Sequence, residues 1–127
     1  MWPVLSYDDG PAAIAFLERA FGFERVAVYT EPDDEGRIVH AELAWPEGGG
    51  VMLGSAGSGE EPFKSRPTGA ASVYLVTANP DGLHARAAAA GAEIVRPLRD
   101  ESYGSRGFTA ADPEGNLWSF GTYAGEG

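Results

Sequence analysis

The sequence predicts an α+β fold in which two βαβββ modules form a curled mixed sheet around a cleft. Two helical segments of equal length carry this prediction, because each starts with a proline, ends with a glycine and is followed by β-prone residues. They are Pro11–Gly22 and Pro80–Gly91. The ends of the two halves also match, since Pro46-Glu47-Gly48 and Pro113-Glu114-Gly115 each lead into a final strand-like run.

The first module is predicted to start with a strand near residues 2–6. Its helix has apolar residues at helical spacing, namely Ala13, Ile14, Leu17, Ala20 and Phe21. Pro11 suits the first turn, where its missing N–H would have no partner, and Gly22 suits a left-handed helix end. Strands near 24–31, 37–45 and 50–55 complete the module.

The second module repeats this order. A strand near 70–77 precedes Asn79, a good N-cap, and Leu83, Ala87 and Ala90 form the apolar helix face. Strands near 93–99, 106–112 and 116–123 follow. The intervening segment is rich in Gly, Ser, Glu and Pro and is typical of a linker. We therefore expect one domain over 1–127, with module one at 1–55, a linker at 56–68 and module two at 69–127.

Composition and charge bear on the partners and the compartment of the protein. The net charge is −10, from 19 acidic and 9 basic side chains, which disfavours nucleic acid as a partner. The same acidity would attract cationic ligands. The chain has no cysteine, which fits a reducing compartment, and we expect a cytoplasmic protein. Neither a signal peptide nor an apolar run long enough to span a membrane is recognisable, so we expect no membrane partner.

Several segments carry a family resemblance. Residues 12–23, ending in Ala20-Phe21-Gly22-Phe23, resemble the first helix and its exit in vicinal-oxygen-chelate proteins, the glyoxalase, bleomycin-resistance and dioxygenase superfamily. Asp112-Pro113-Glu114-Gly115-Asn116 resembles the turn before their last strand. His40-Ala41-Glu42-Leu43 and the stretches 103–106 and 119–123 resemble members labelled only glyoxalase-like. The resemblance implies the glyoxalase/bleomycin-resistance fold and a small-molecule cleft at or near a homodimer interface.

The resemblance also bears on metal binding. Metalloenzymes of this superfamily place a His or Glu ligand on the first and fourth strands of each module. Counting from the helix-ending glycines puts these positions near Trp2, Leu53, Ser72 and Ser119. Neither these residues nor their immediate neighbours are His, Asp or Glu, which are the donors such a centre needs. We therefore expect no metal and no cofactor, which argues against glyoxalase I and extradiol dioxygenase chemistry.

His40 and Glu42 are the candidate catalytic residues. They alternate with the apolar Ala41 and Leu43, so they are predicted to face the cleft or solvent. A His and a Glu two residues apart can act as a base and its orienting partner, or can bind a cation together. The same pair is also common as a polar pair at a sheet edge.

Other residues are candidates for ligand contacts. Strand positions predicted to line the cleft are those of Trp2, Leu53, Ser72, Tyr74 and Ser119. In the stretch between the sixth and seventh strands, Tyr103 can stack on a planar ligand and Arg106 can clamp an anionic group, although a plain turn explains this stretch as well. Trp45, Trp118 and Phe120 have the opposite parity and are predicted to lie in the core.

These observations favour a metal-independent protein that binds and sequesters a cationic or aromatic small molecule, as antibiotic-resistance members of the superfamily do. A homodimer is expected. Two alternatives stay open at this point. One is a lyase or isomerase that uses His40 and Glu42 as an acid–base pair, and the other is a metalloenzyme with a displaced site.

Overall fold

A computed structural model describes residues 1–126 and contains the predicted order of strand, helix and three strands twice. Gly127, the last residue of the predicted second module, lies outside the described residues. The elements of the first half are β1 (Val4–Tyr7), α1 (Gly10–Phe16), a π-helical turn (Leu17–Phe21), β2 (Glu24–Glu31), β3 (Asp34–Ala44) and β4 (Gly50–Ser55).

The second half follows a short 3₁₀ helix, Phe63–Ser65, in the predicted linker. Its elements are β5 (Ser72–Val76), α2 (Pro80–Ala89), β6 (Glu93–Asp100), β7 (Arg106–Ala111) and β8 (Leu117–Gly121). The predicted α+β fold class is confirmed. Within residues 1–126, none of the helices combines the length and apolar character needed to cross a membrane.

The strands form two four-stranded mixed sheets with equivalent topology. The first, the N-sheet, has the order β1-β4-β3-β2, and the second, the C-sheet, has the order β5-β8-β7-β6. In each sheet the first strand pairs in parallel with the fourth, and the remaining pairs are antiparallel. The sheets are separate ladders that do not close on each other, so β1 and β5 each have one free edge.

Helix ends follow the predicted chemistry. The Asp9 carboxylate accepts a hydrogen bond from the backbone N–H of Ala12 at 3.1 Å, and the Asn79 side-chain oxygen accepts one from Gly82 at 3.0 Å. Gly22 and Gly91 end the helices with left-handed φ angles of 83° and 85°. The wide last turn after α1 was not predicted, because apolar spacing alone does not distinguish an α turn from a π turn.

One apolar core joins the two halves. Phe21, at the end of the π-helical turn, lies 4.7 Å from Phe120 and 5.8 Å from Trp118, measured between ring centroids. Phe23 lies 5.0 Å from Trp45 and 5.6 Å from Trp118. Because the first-half aromatics pack against second-half strands, the helix-covered faces of both sheets belong to one contiguous core. The core placement predicted for Trp45, Trp118 and Phe120 is confirmed.

Helix α2 is fastened to both halves. His84 packs edge-on against Phe108 of β7 with ring centroids 5.1 Å apart, and its side chain is half-buried. On the same helix, the Arg86 guanidinium donates to the carbonyl oxygens of Glu18 and Arg19, each at 3.0 Å. These bonds add side-chain donors to carbonyls in the last turn of the first helix, where Glu18 O also accepts from the Gly22 backbone N–H at 3.2 Å.

A buried carboxylate ties the first strand to the last. Asp112 Oδ2 accepts hydrogen bonds from the Tyr7 hydroxyl at 2.6 Å, from Asn116 Nδ2 at 2.9 Å and from Trp118 Nε1 at 3.1 Å. Its Oδ1 accepts from the backbone N–H groups of Glu114 and Asn116, both at 3.0 Å. Burial, followed by the bond to Asp112, raises the pKa of the Tyr7 hydroxyl far above its ordinary value.

We expect Asp112→Ala to lower the free energy of unfolding by about 3 kcal/mol or more, because buried donors of Tyr7, Asn116 and Trp118 lose their acceptor. Chemical denaturation monitored by circular dichroism measures this loss. The matched control is Asp33→Ala, which removes an exposed carboxylate from the β2–β3 hairpin and should change stability by less than about 0.5 kcal/mol. Equal effects of the two substitutions would show that the buried carboxylate does not hold the halves together.

Candidate functional site

Each sheet has a face that no helix covers, called here its open face. Both helix-covered faces point toward the shared core, so the two open faces point away from it. On the N-sheet, the open face carries Val4 of β1 beside Met52 of β4, and Met52 beside Glu42 of β3. Val4 is 63% exposed, which leaves apolar surface uncovered in the single chain.

His40 and Glu42 meet on this open face. His40 Nε2 lies 2.8 Å from Glu42 Oε2, and the two side chains are 39% and 32% exposed. Tyr29, the β2 partner of His40, stacks on the imidazole with ring centroids 6.3 Å apart and an interplanar angle of 21°. Sequence reasoning missed Tyr29, because its position opposite His40 depends on irregular pairing between β2 and β3. The arrangement holds the imidazole between a carboxylate and an aromatic ring.

A row of four side chains crosses the open face of the C-sheet. Strand register places Arg96 of β6 opposite Thr109 of β7, Thr109 opposite Ser119 of β8, and Ser119 opposite Tyr74 of β5. The hydroxyls of Thr109 and Ser119 are 2.8 Å apart and share one hydrogen bond. Sequence reasoning selected Tyr74 and Ser119 but missed Arg96 and Thr109, because residues of β6 and β7 join the row only through register.

This row lines a cavity of about 140 Å³. Tyr103 and Glu101 from the β6–β7 connection form a wall, and Gly107 and Gly121 lie beside each other in its lining. The full lining is Tyr74, Arg96, Glu101, Tyr103, Ser105, Gly107, Phe108, Thr109, Ser119, Phe120 and Gly121. Tyr103 is 66% exposed at the rim. The cavity therefore combines aromatic walls with hydroxyl groups.

Hydrogen bonds hold the rim of this cavity. The Tyr74 hydroxyl donates to the carbonyl of Tyr123 at 2.7 Å, and the Ser105 hydroxyl accepts from the Tyr123 backbone N–H at 3.2 Å. The Tyr123 ring packs edge-on against Tyr103 with centroids 5.4 Å apart. The bond from the Tyr123 hydroxyl to Glu126 raises the pKa of that hydroxyl. The residues after β8 thus fix two aromatic walls in place.

A second cavity, of about 530 Å³, lies where the free edge of β5 approaches the N-terminal residues and the β3–β4 hairpin. Its lining includes Ser72 and Tyr74 of β5 and the core rings of Phe23, Trp45 and Trp118. Trp45 Nε1 donates to the Val76 carbonyl at 3.1 Å across one end. Tyr74 lines both cavities, so the two spaces adjoin at this side chain.

The structure corrects the prediction that Leu53 lines the cleft. Leu53 is 1% exposed, pairs with Leu5 of β1 and lies in the core, whereas its neighbour Met52 lies on the open face. The reason is strand parity, since an offset of one residue in counting from Gly22 moves a side chain to the other face of the sheet. Trp2 lies at the start of the N-sheet, where its ring packs over Gly50.

The structure also places Arg106 outside the cavity. Its guanidinium binds Asp81 of α2 at 2.8 Å and approaches Asp100 at 3.3 Å. The bond from Arg106 lowers the pKa of Asp81. Arg106 therefore fastens the start of β7 to helix α2, and its predicted role as an anion clamp does not match this placement. Sequence proximity to Tyr103 suggested that role, but the side chain points to the helix instead.

The side chains at the positions where the superfamily's metalloenzymes hold their metal do not fit a metal centre. On the first and fourth strands, the open-face positions are Val4, Ser6, Met52 and Gly54 in the N-sheet, and Ser72, Tyr74, Leu117 and Ser119 in the C-sheet. None offers the imidazole or carboxylate that borderline and hard divalent metals bind. Over residues 1–126, no three His, Asp or Glu side chains are grouped as metal ligands, and His40 with Glu42 supplies only two.

Comparison with known proteins agrees with this geometry. The family model described as the Glyoxalase/Bleomycin resistance protein/Dioxygenase superfamily matches residues 2–120. The chain belongs to this superfamily. It is 33% identical over 125 residues to an uncharacterized protein of Mycobacterium bovis, covering 94% of this chain and 80% of that protein. An uncharacterized protein of Mycobacterium tuberculosis is equally similar, with 71% of its length covered.

Several solved structures of other proteins have the same fold as this chain. TioX from Micromonospora sp. ML1 is 33% identical with a TM-score of 0.81, and the match covers 95% of each chain. The virulence protein STM3117 from Salmonella typhimurium is 26% identical with a TM-score of 0.71, covering 97% of this chain and 94% of that one. A glyoxalase/bleomycin resistance protein from Catenulispora acidiphila, 22% identical with a TM-score of 0.68 over 95% of each chain, shares the fold.

Proposed function

We propose that this superfamily member is a metal-independent small-molecule-binding protein whose ligand lies on the open faces of its sheets. The observation that carries the proposal is the cavity on the C-sheet, which is lined by Tyr74, Tyr103 and the hydroxyls of Thr109 and Ser119. Aromatic walls with a few converging polar groups are typical of ligand sites. The positions where metalloenzyme relatives hold their metal offer apolar and hydroxyl side chains, which suit contact with an organic molecule instead.

A homodimer is part of the proposal. The open faces of one chain point away from their common core, so they cannot enclose a ligand between themselves. A second copy that sets its N-sheet against the C-sheet of the first would cover both faces. The exposed apolar residues Val4 and Tyr29 on one face, and Tyr74, Val76 and Leu117 on the other, favour such burial.

The ligand class follows from the lining and from the charge. Tyrosine rings offer stacking surface for a planar aromatic compound, and the net charge of −10 favours a cationic one where ionic strength is low. Sequestration of a toxic compound, as in bleomycin-resistance proteins, is the function that such binding would serve. The chain has no cysteine, so the proposal places this binding in the reducing cytoplasm.

We expect Tyr74→Ala and Tyr103→Ala each to weaken binding of planar compounds by about tenfold, because each removes a stacking surface. The measurement is calorimetric titration of the dialysed protein with a panel of planar aromatic and cationic molecules. The matched control is Phe63→Ala, which removes a ring from the 3₁₀ helix outside the cavity that is as exposed as the ring of Tyr103. Failure of every compound in a broad panel to bind at high micromolar concentration would contradict the proposed function.

A second candidate function uses His40 and Glu42 as an acid–base pair in a lyase or isomerase. The specific support is the 2.8 Å contact between His40 Nε2 and Glu42 Oε2, with Tyr29 stacked on the imidazole. A carboxylate beside an imidazole fixes its orientation and supports proton transfer at the other ring nitrogen.

For this candidate, we expect His40→Ala to abolish turnover of a compound found by titration while its affinity changes little. Glu42→Gln should leave partial activity, because the amide still positions the ring but no longer supports its charge. Product formation followed by mass spectrometry, with folding checked by circular dichroism, distinguishes these effects. A turnover rate that His40→Ala leaves unchanged would eliminate the catalytic role.

A further inference from the structure

The C-sheet cavity contains an unpaired positive charge. Arg96, an exposed residue of β6, lines the cavity beside Thr109, and its guanidinium makes no hydrogen bond or ion pair with any residue from 1 to 126. The neighbouring guanidiniums differ in this respect. Arg99 pairs with Glu101 at 2.5 Å, and Arg106 pairs with Asp81 at 2.8 Å. Arg96 is therefore the cation in this region that is available to a ligand.

The one carboxylate in the cavity lining is already neutralised. Glu101 contributes to the wall, but its Oε1 accepts the hydrogen bond from Arg99 Nε. A cationic guest would meet this engaged carboxylate together with the repulsion of Arg96. An anionic guest would instead meet an available guanidinium, which binds carboxylates through two parallel N–H donors.

The hydroxyl pair adds a donor next to Arg96. Thr109 and Ser119 lie 2.8 Å apart, so one hydroxyl hydrogen is used between them and the other is left to donate outward. Register places this pair directly between Arg96 and Tyr74 across the sheet. A guanidinium beside a hydroxyl donor is a suitable receptor for carboxylate oxygens.

The remaining space fits one ring. An engineered protein cavity of about 150 Å³ holds benzene, and the cavity here measures about 140 Å³. Gly121 leaves room for the Tyr74 ring to lie across β8, because a Cβ at Gly121 would be only 2.8 Å from the Tyr74 hydroxyl and 3.2 Å from Ser105 Oγ. Tyr74 and Tyr103 both line this space and offer aromatic surface to a ring.

We propose that this cavity binds an aromatic ring that carries an anionic group of the carboxylate class, with Arg96 as the residue that determines specificity. This inference rests on the proposed function: it keeps the planar aromatic ligand and assigns it an anionic rather than a cationic group. The net charge of −10 does not oppose it, because charges farther away than about 8 Å are largely screened at physiological ionic strength. The ring packs against Tyr74 and Tyr103, and the anionic group contacts Arg96 and the hydroxyl pair.

Three probes of similar size and different charge test the inference: benzoate, benzylammonium and benzyl alcohol. Saturation-transfer NMR and calorimetric titration of the dialysed protein give their affinities. Benzoate should bind most tightly. Arg96→Gln should weaken benzoate binding by about tenfold or more and leave benzyl alcohol unchanged, since the substitution removes only the charge-assisted bonds. Arg96→Lys should restore part of the affinity, because the charge returns without the paired donors.

The matched control is Arg66→Gln, which removes an exposed arginine of the linker outside this cavity. It should leave benzoate affinity unchanged. Tighter binding of benzylammonium, or equal benzoate affinity in the wild type and Arg96→Gln, would overturn the inference. So would failure of benzoate to bind at millimolar concentration. The proposed function would survive each of these results if planar compounds of the wider panel still bound, and would fail only with that panel.

Discussion

The structure depends on a single buried carboxylate that has no cationic partner. Asp112 accepts five hydrogen bonds, and one of them comes from Tyr7 on a strand 105 residues earlier in the chain. A buried charge is costly unless its lone pairs are satisfied, and saturation by donors provides that here. Glu114, from the same turn, accepts from the backbone N–H groups of Asp8 and Asp9 before the first helix. The turn before β8 therefore positions the first strand and the first helix.

The position of the candidate site follows from the way the two halves pack. Because the helix-covered faces of both sheets lie in one core, the opposite face of each sheet is uncovered. Those uncovered faces carry the polar and aromatic side chains of the candidate site. The N-sheet presents His40 and Glu42, and the C-sheet presents Arg96, the hydroxyl pair and the tyrosine walls. The two sets lie on different sheets of one chain, so a ligand that touches both needs a second copy.

Much of the fold was predictable from the sequence, because local signals repeat. Proline starts and glycine ends predicted both helices, the β-prone runs repeated in the two halves predicted all eight strands, and alternation put His40 and Glu42 on one face. What could not be predicted depended on register across strands. Leu53 was assigned to the wrong face by a one-residue offset, and Arg96 joined Ser119 and Tyr74 only through pairing of β6 with β7. Arg106 was misassigned because side-chain direction toward helix α2 is a tertiary property.

The central claim is that the ligand space forms between the N-sheet of one copy and the C-sheet of another. The chain lacks cysteine, so single thiols can be placed at will. A mixture of Glu42→Cys protein and differently tagged Ser119→Cys protein, treated with a short bis-maleimide, tests the claim most directly. We expect cross-linked products that contain one chain of each variant. We also expect the doubly substituted protein to cross-link between chains. Cross-linking confined to single chains of the double variant would show that the N-sheet of one copy does not lie against the C-sheet of another.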